Sequence, residues 1–256
     1  MILRRITEHV RAQNWFAVAI DFVIVVVGVF VGIQVSNWNA SRVERAQEQA
    51  TLVRLVEDYR ELIERGDAYL ARSAQRLRLM SRWIEAFDKG DLSDLEQLHA
   101  LVVRFYEVED PALARKLAEG SVRDWFTEPM GGEYRPDVSI TFQQLVASGD
   151  LKLIRSERVR RALASRSAQR EEAIRAININ HGSGQSAYGN AFLLATFQAA
   201  SPNPEIVIES VLANPEFAAG LRGFFGVRTY NDFWFERVHV ETQRVLKILE
   251  DEAAPR

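Results

Sequence analysis

Histidine is the side chain that most often binds metal or moves protons near neutral pH, and the chain has four: His9, His99, His181 and His239. None forms an H-x-x-x-H or H-E-x-x-H pair, the spacing that puts two ligands on one helix face. The run His181-Gly182-Ser183-Gly184 has the composition of an oxyanion loop. No strand precedes it, however, and no G-x-S-x-G elbow occurs anywhere, so it reads as an interhelical turn. Neither a G-x-x-x-x-G-K-[ST] loop nor a G-x-G-x-x-G fingerprint is present. The chain has no Cys, which excludes disulfides, thiolate nucleophiles and Cys-ligated metals. The expectation is no catalytic residue, no cofactor and no metal ligand.

One acid stands apart. Asp21 is the single ionisable residue between Trp15 and Val35, and an acid inside an apolar helix is a functional candidate by default. At roughly 100° per residue, positions 21, 25, 28, 32 and 36 share one helical face. Asp21 therefore points the same way as Gly28, Gly32 and Ser36, three small residues in series of the kind that lets a second helix approach closely. Gln34 lies on the opposite side, near the far end. These residues make two expectations: a helix–helix contact through Gly28, Gly32 and Ser36, and an intramembrane polar pair of positions at Asp21 and Gln34.

The element that must carry them is a membrane span over residues 15–38. Trp15 to Val35 is 21 residues, or about 31 Å of helix, the thickness of a hydrocarbon core. In lipid a lone strand leaves its backbone unsatisfied, so the Val-rich run reads as helix. Trp15 and Trp38 stand where interfacial aromatic anchors belong. A cleaved leader is the competing reading, but Trp38 breaks the small-x-small pattern that a cut after Ala40 needs. Arg4, Arg5 and Arg11 in the short arm tilt the charge bias toward a cytoplasmic N-terminus. The domain behind the span would then lie outside, in the periplasm of a Gram-negative cell.

Asp21, Gly28, Gln34 and Asn37-Trp38-Asn39 resemble the signature of a widespread family of bacterial single-pass, membrane-anchored helical proteins: acid, Gly seven on, Gln six beyond, then Asn-Trp-Asn. The stretch 147–154 (Ala-Ser-Gly-Asp-Leu-Lys-Leu-Ile) resembles a second patch of that family. The resemblance implies an inner-membrane anchor with a helical domain, and implies no reaction. The role expected is a membrane-anchored interaction or scaffold protein. Separately, the run 20–25 resembles the segment around the proton-carrying Asp of biopolymer-transport and flagellar-stator partners, which makes a subunit of a proton-driven complex using Asp21 the alternative role. An enzyme or small-ligand sensor built from scattered helices is the third.

The remainder is expected to be all-α. Its net charge is near −4, since the first 39 residues hold three Arg against two acids and the whole chain is −3; this argues against nucleic acid as a partner. The partners expected are the lipid bilayer and, through the span, a second copy or another membrane protein. The spacing predicts a short arm over 1–14, the span over 15–38, a long amphipathic helix over 39–90 and a multi-helix bundle over 91–256. In the long helix the apolar stripe is read at Val43, Ala46, Ala50, Val53, Val56, Tyr59, Ile63, Leu70, Leu77, Met80, Ile84 and Phe87, with a kink at Gly66 and a cap at Gly90. Trp83, Phe87 and Tyr59 are bulky for a two-stranded seam, which favours a bundle.

Further helices are expected to open at Ser93 with a capping box, at Asp110-Pro111, at Ser139 and at Ser156. The stretch 128–136 is expected as a loop, 148–150 as a turn, and 178–184 as a helix break. Beyond it come a helix over 185–199, a loop at 202–204, and helices near 205–213, 215–224 and 229–252. Seven basic residues between Lys152 and Arg170 face a single acid, Glu157. They are expected either to pair with Asp88, Asp91, Asp94 and Glu96 or to meet anionic headgroups.

Overall fold

The computed structural model describes residues 15–92, 94–131, 136–187, 199, 201, 212 and 214–254, with side chains described from 20 to 181 and from 199 within those ranges. Seven helices are present among the described residues, and no strand. α1 is Trp15–Lys89, α2 Leu95–Glu109, α3 Pro111–Ala118, α4 Val122–Thr127, α5 Ile140–Ser148, α6 Glu157–Ala187 and α7 Pro215–Ala253. Two compact units divide between Thr51 and Leu52.

In the first unit, α1 presents side chains to the surroundings all round. Ile20, Phe22, Val23, Ile24 and every large apolar residue on to Val35 are exposed. This is the one helix among the described residues that is long and apolar enough to cross a membrane, and none of its apolar window is covered.

In the second unit, two apolar clusters hold the bundle. One gathers Leu79, Met80 and Trp83 of α1 with Leu98, Val102 and Tyr106 of α2, Leu117 of α3, Phe126 of α4, and Phe217 and Leu221 of α7. The other joins Leu52, Leu55, Val56 and Tyr59 of α1 to Leu145 of α5, Ile154, Val159 and Leu163 around the start of α6, and Val245 and Leu249 of α7. Each fully buried Leu, Val or Phe contributes about 1.5–3 kcal/mol. The bulky trio anticipated for a bundle is in these interiors: Trp83 and Tyr59 are buried, and Phe87 meets Phe217 edge-on.

The stripe on α1 is partly rephased. Val43 and Val53 are exposed, and Leu52, Leu55, Leu62 and Leu79 are buried instead. Burial on α1 follows contact with the packed helices, and it begins at Thr51 and Leu52. Gly66 does not break α1, which runs through it; a Cβ there would stand 2.4 Å from His239 Nδ1. The glycine is needed for close approach of α7.

Local signals set several boundaries. Gly90 and Gly149 both take positive φ, 73° and 75°, where a side chain is strained. Asp110 accepts from Leu113 N and Ser139 from Phe142 N, each capping the helix that follows. Pro111 and Pro215 occupy first-turn positions where no amide is missed. α2 is capped by Asp94, which accepts from Gln97 N, one residue later than expected; Ser93 lies outside the described residues.

Three expectations are corrected. Part of the loop over 128–136 is ordered as a 3-10 turn, Glu128–Met130, directly after α4. α6 continues through 178–184, because Asn180 donates to Val227 O and Asn231 Oδ1 while His181 meets Asn231. α7 is one helix of 39 residues where two were expected. The expectations for 1–14, 188–198 and 202–211 lie outside the described residues.

Candidate functional site

The residues singled out on the apolar helix keep their shared face because α1 is regular there. Asp21, Gly28, Gly32, Gln34 and Ser36 are all exposed. A Cβ built on Gly28 or Gly32 meets nothing within 4 Å. Their lack of a side chain is therefore unexplained by packing inside this chain, in contrast with Gly66. Trp38 is exposed, with the Arg42 guanidinium 5.9 Å above its ring. The Trp15 side chain lies outside the described residues.

Between the two apolar clusters of the second unit, α1 turns polar. Glu128 is the centre of one knot. Arg76 Nε donates to Glu128 Oε1 at 3.1 Å and Arg72 reaches the same oxygen at 2.9 Å. The Tyr106 hydroxyl donates to it at 3.0 Å, and Arg72 stacks over the Tyr106 ring. Burial and the Glu128 carboxylate push the Tyr106 hydroxyl pKa up. A charge drawn inward like this is stable when each donor finds an acceptor. A second knot centres on Ser73, which accepts from Arg228 Nε and Nη2 at 3.2 Å and donates to Asp232. Tyr69 donates to Asp232 at 2.6 Å; burial, then that bond, raises its pKa.

Two buried arginines, Arg166 and Arg228, and the half-buried Arg170 hold backbone carbonyls at 131, 136 and 137. Arg228 donates to Gly131 O at 2.6 Å, Arg170 to Pro136 O at 2.6 Å and Arg166 to Asp137 O at 2.8 Å. Arg166 in addition donates to Thr242 and covers the Tyr59 ring. The basic run on α6 is thus spent on this segment and on near neighbours: Arg158 pairs with Asp251 and Arg161 with Glu157. Of the acids expected as partners, Asp88, Asp91, Asp94 and Glu96, Asp88 pairs instead with Arg222 of α7. Those acids sit by the other apolar cluster, away from the start of α6.

The described histidines are each taken up locally. His99 Nε2 lies 3.0 Å from Leu117 O and its ring packs on Trp125. His239 is buried against Gly66, with Nε2 2.8 Å from Asp67 and 3.1 Å from Gln243. Among the described residues no group of three metal-binding side chains converges.

The surface between α6 and α7 carries open hollows. One, of about 610 Å³, is lined by Arg158, Arg161, Ser165, Glu241, Arg244 and Lys247. Beside it α7 presents Tyr230, Phe233 and Val240, all exposed, next to exposed Ile179 of α6. Their 3-4-3 spacing with Arg237 was readable in the sequence. It passed unnoticed because α7 is apolar on two faces, so no single stripe stands out.

No family model, no curated protein and no solved structure matches this chain.

Proposed function

We propose that this chain is a membrane-anchored helical interaction protein of the kind its Asn-Trp-Asn signature resembles. In this reading residues 15–38 cross the bacterial inner membrane, with the N-terminus in the cytoplasm and the helical domain in the periplasm. The observation that carries it is the uncovered apolar window of α1, which is costly in water and favoured in lipid. Open space around Gly28 and Gly32 supports a contact made through the span, with a second copy or another membrane protein. Two measurements test it. The chain should resist carbonate extraction and its domain should be cut by protease only from the periplasmic side. Gly28→Ile and Gly32→Ile should each weaken association of the span in a membrane reporter. Release by carbonate, or indifference to both substitutions, defeats the reading.

A second role rests on Asp21 lying on that same face. As the proton carrier of a driven complex it should tolerate Asp21→Glu and fail as Asp21→Asn. Equal function of the Asn variant removes that alternative.

A further inference from the structure

We propose that the outward stripe of α7 is a second self-association surface, where two copies of this chain meet in parallel. At roughly 100° per residue, Tyr230, Phe233, Arg237 and Val240 fall within a sector of about 80°. Buried Arg228, Phe235, Val238, His239 and Thr242 face the opposite way, into the bundle. The outer stripe is therefore additional to what the fold needs. Phe233 is 51% exposed and Val240 58%, apolar area that a monomer gains nothing by displaying.

Charge names the occupant. Glu236 and Arg237 stand on opposite flanks of the Phe233–Val240 line, by the same angular reckoning. Among the described residues Glu236 has no ion-pair partner, and Arg237 rests only on the rings of Phe233 and Trp234. A twofold axis running along α7 brings the left flank of one copy against the right flank of the other. Glu236 then faces the partner's Arg237, and Arg237 the partner's Glu236, while Phe233 and Val240 meet their own counterparts. An antiparallel pairing would instead set Glu236 against Glu236. Such an isologous patch is what a cyclic dimer requires.

Anchoring in one membrane, as proposed above, would hold two copies at a high local concentration. To that extent the inference rests on that reading. Two shallow hollows beside the stripe, of about 350 and 400 Å³, offer room for the facing side chains. One is lined by Trp234 and the other by Gln169, whose Nε1 and Oε1 respectively are buried without a hydrogen bond among the described residues. Four side chains make a small patch beside the ~800 Å² per partner of a stable interface. Confinement to one membrane supplies the effective concentration it lacks.

The absence of Cys makes the test direct. Val240→Cys and Phe233→Cys each place one thiol on the stripe, and Val108→Cys places one on α2 at an 85% exposed position. The full chain in membrane vesicles is oxidised and the disulfide dimer measured. Dimer is expected at 240 and 233 and only background at 108. In the Val240→Cys chain, Glu236→Arg should lower the yield about five-fold, as should Arg237→Glu, and the two together should restore it. Equal yields at 240 and 108, capture of a different protein, or no restoration by the double swap would overturn the proposal. Carbonate extraction of the same vesicles reports on the anchor separately, so a failed span and a failed stripe are told apart.

Discussion

Replacing Gly66 by Ala should destabilise the bundle, against the rule that Ala is the better helix former. The rule favours Ala by about 1 kcal/mol in a helix interior. At this site the new methyl would stand 2.4 Å from His239 Nδ1 and 2.8 Å from Cε1. The ring has little freedom to yield: it is buried, bonded to Asp67 at 2.8 Å, and stacked on Phe235 with an interplanar angle of 16°. Overpacking of this kind costs about 1–3 kcal/mol, and losing the Asp67 bond adds about 0.5–1.5 kcal/mol. The net expectation is a loss of about 1–3 kcal/mol, or a Tm lower by roughly 3–10 °C for a unit of this size. Thermal unfolding of the full chain in detergent, followed by circular dichroism, measures it. The His239→Ala background supplies the decisive comparison. With the ring gone, Gly66→Ala should stabilise by about 0.5–1 kcal/mol. A stabilising Gly66→Ala in the unmodified chain would refute the close-approach argument.

Gly226→Ala is the counterpart: it is a helical glycine with nothing within 4 Å, so Tm should rise, by about 0.5–1 kcal/mol of stability. Ser73→Ala removes the hydroxyl shared by Arg228 and Asp232, and urea unfolding should show a loss of about 1–3 kcal/mol. Glu128→Gln leaves Arg72 and Arg76 without their shared carboxylate and should cost about 1–3 kcal/mol by the same measurement. Stability should fall at alkaline pH. Burial raises the Tyr59 hydroxyl from 10.0 to about 12, so between those values the folded state holds a proton that the unfolded state has released. The contribution is complete below pH 10 and is lost as pH rises to about 12. Tyr59→Phe should flatten that part of a Tm-against-pH curve, with phenolate absorbance rising at the same pH as unfolding in the parent.

The parts of the fold written locally were legible. Asp110-Pro111, Ser139, Gly90 and Gly149 announce helix ends because each acts on its own neighbours within a few residues. The uncovered apolar run needs no partner to be recognised, and neither does its small-residue face. What was missed depends on contacts distant in the chain. Asn180 looks like a breaker until Asn231 and Val227 O receive it. The polar inner positions Ser73 and Arg76 look like surface until Arg228 and Glu128 are found beside them. α4 is only six residues, too short for a period, although Ser121 and Asp124 do spell a capping box. The outer stripe of α7 was hidden by the inner one on the same helix.

The arginines that hold Gly131, Pro136 and Asp137 all grip carbonyl oxygens. A carbonyl is the same group whichever residue carries it, so this grip is blind to side-chain identity. What these bonds ask of positions 131, 136 and 137 is a carbonyl in the right place, not a particular side chain. Evolution, or a protein engineer, can therefore reword those three positions and keep the arginine grip, provided the backbone holds its course.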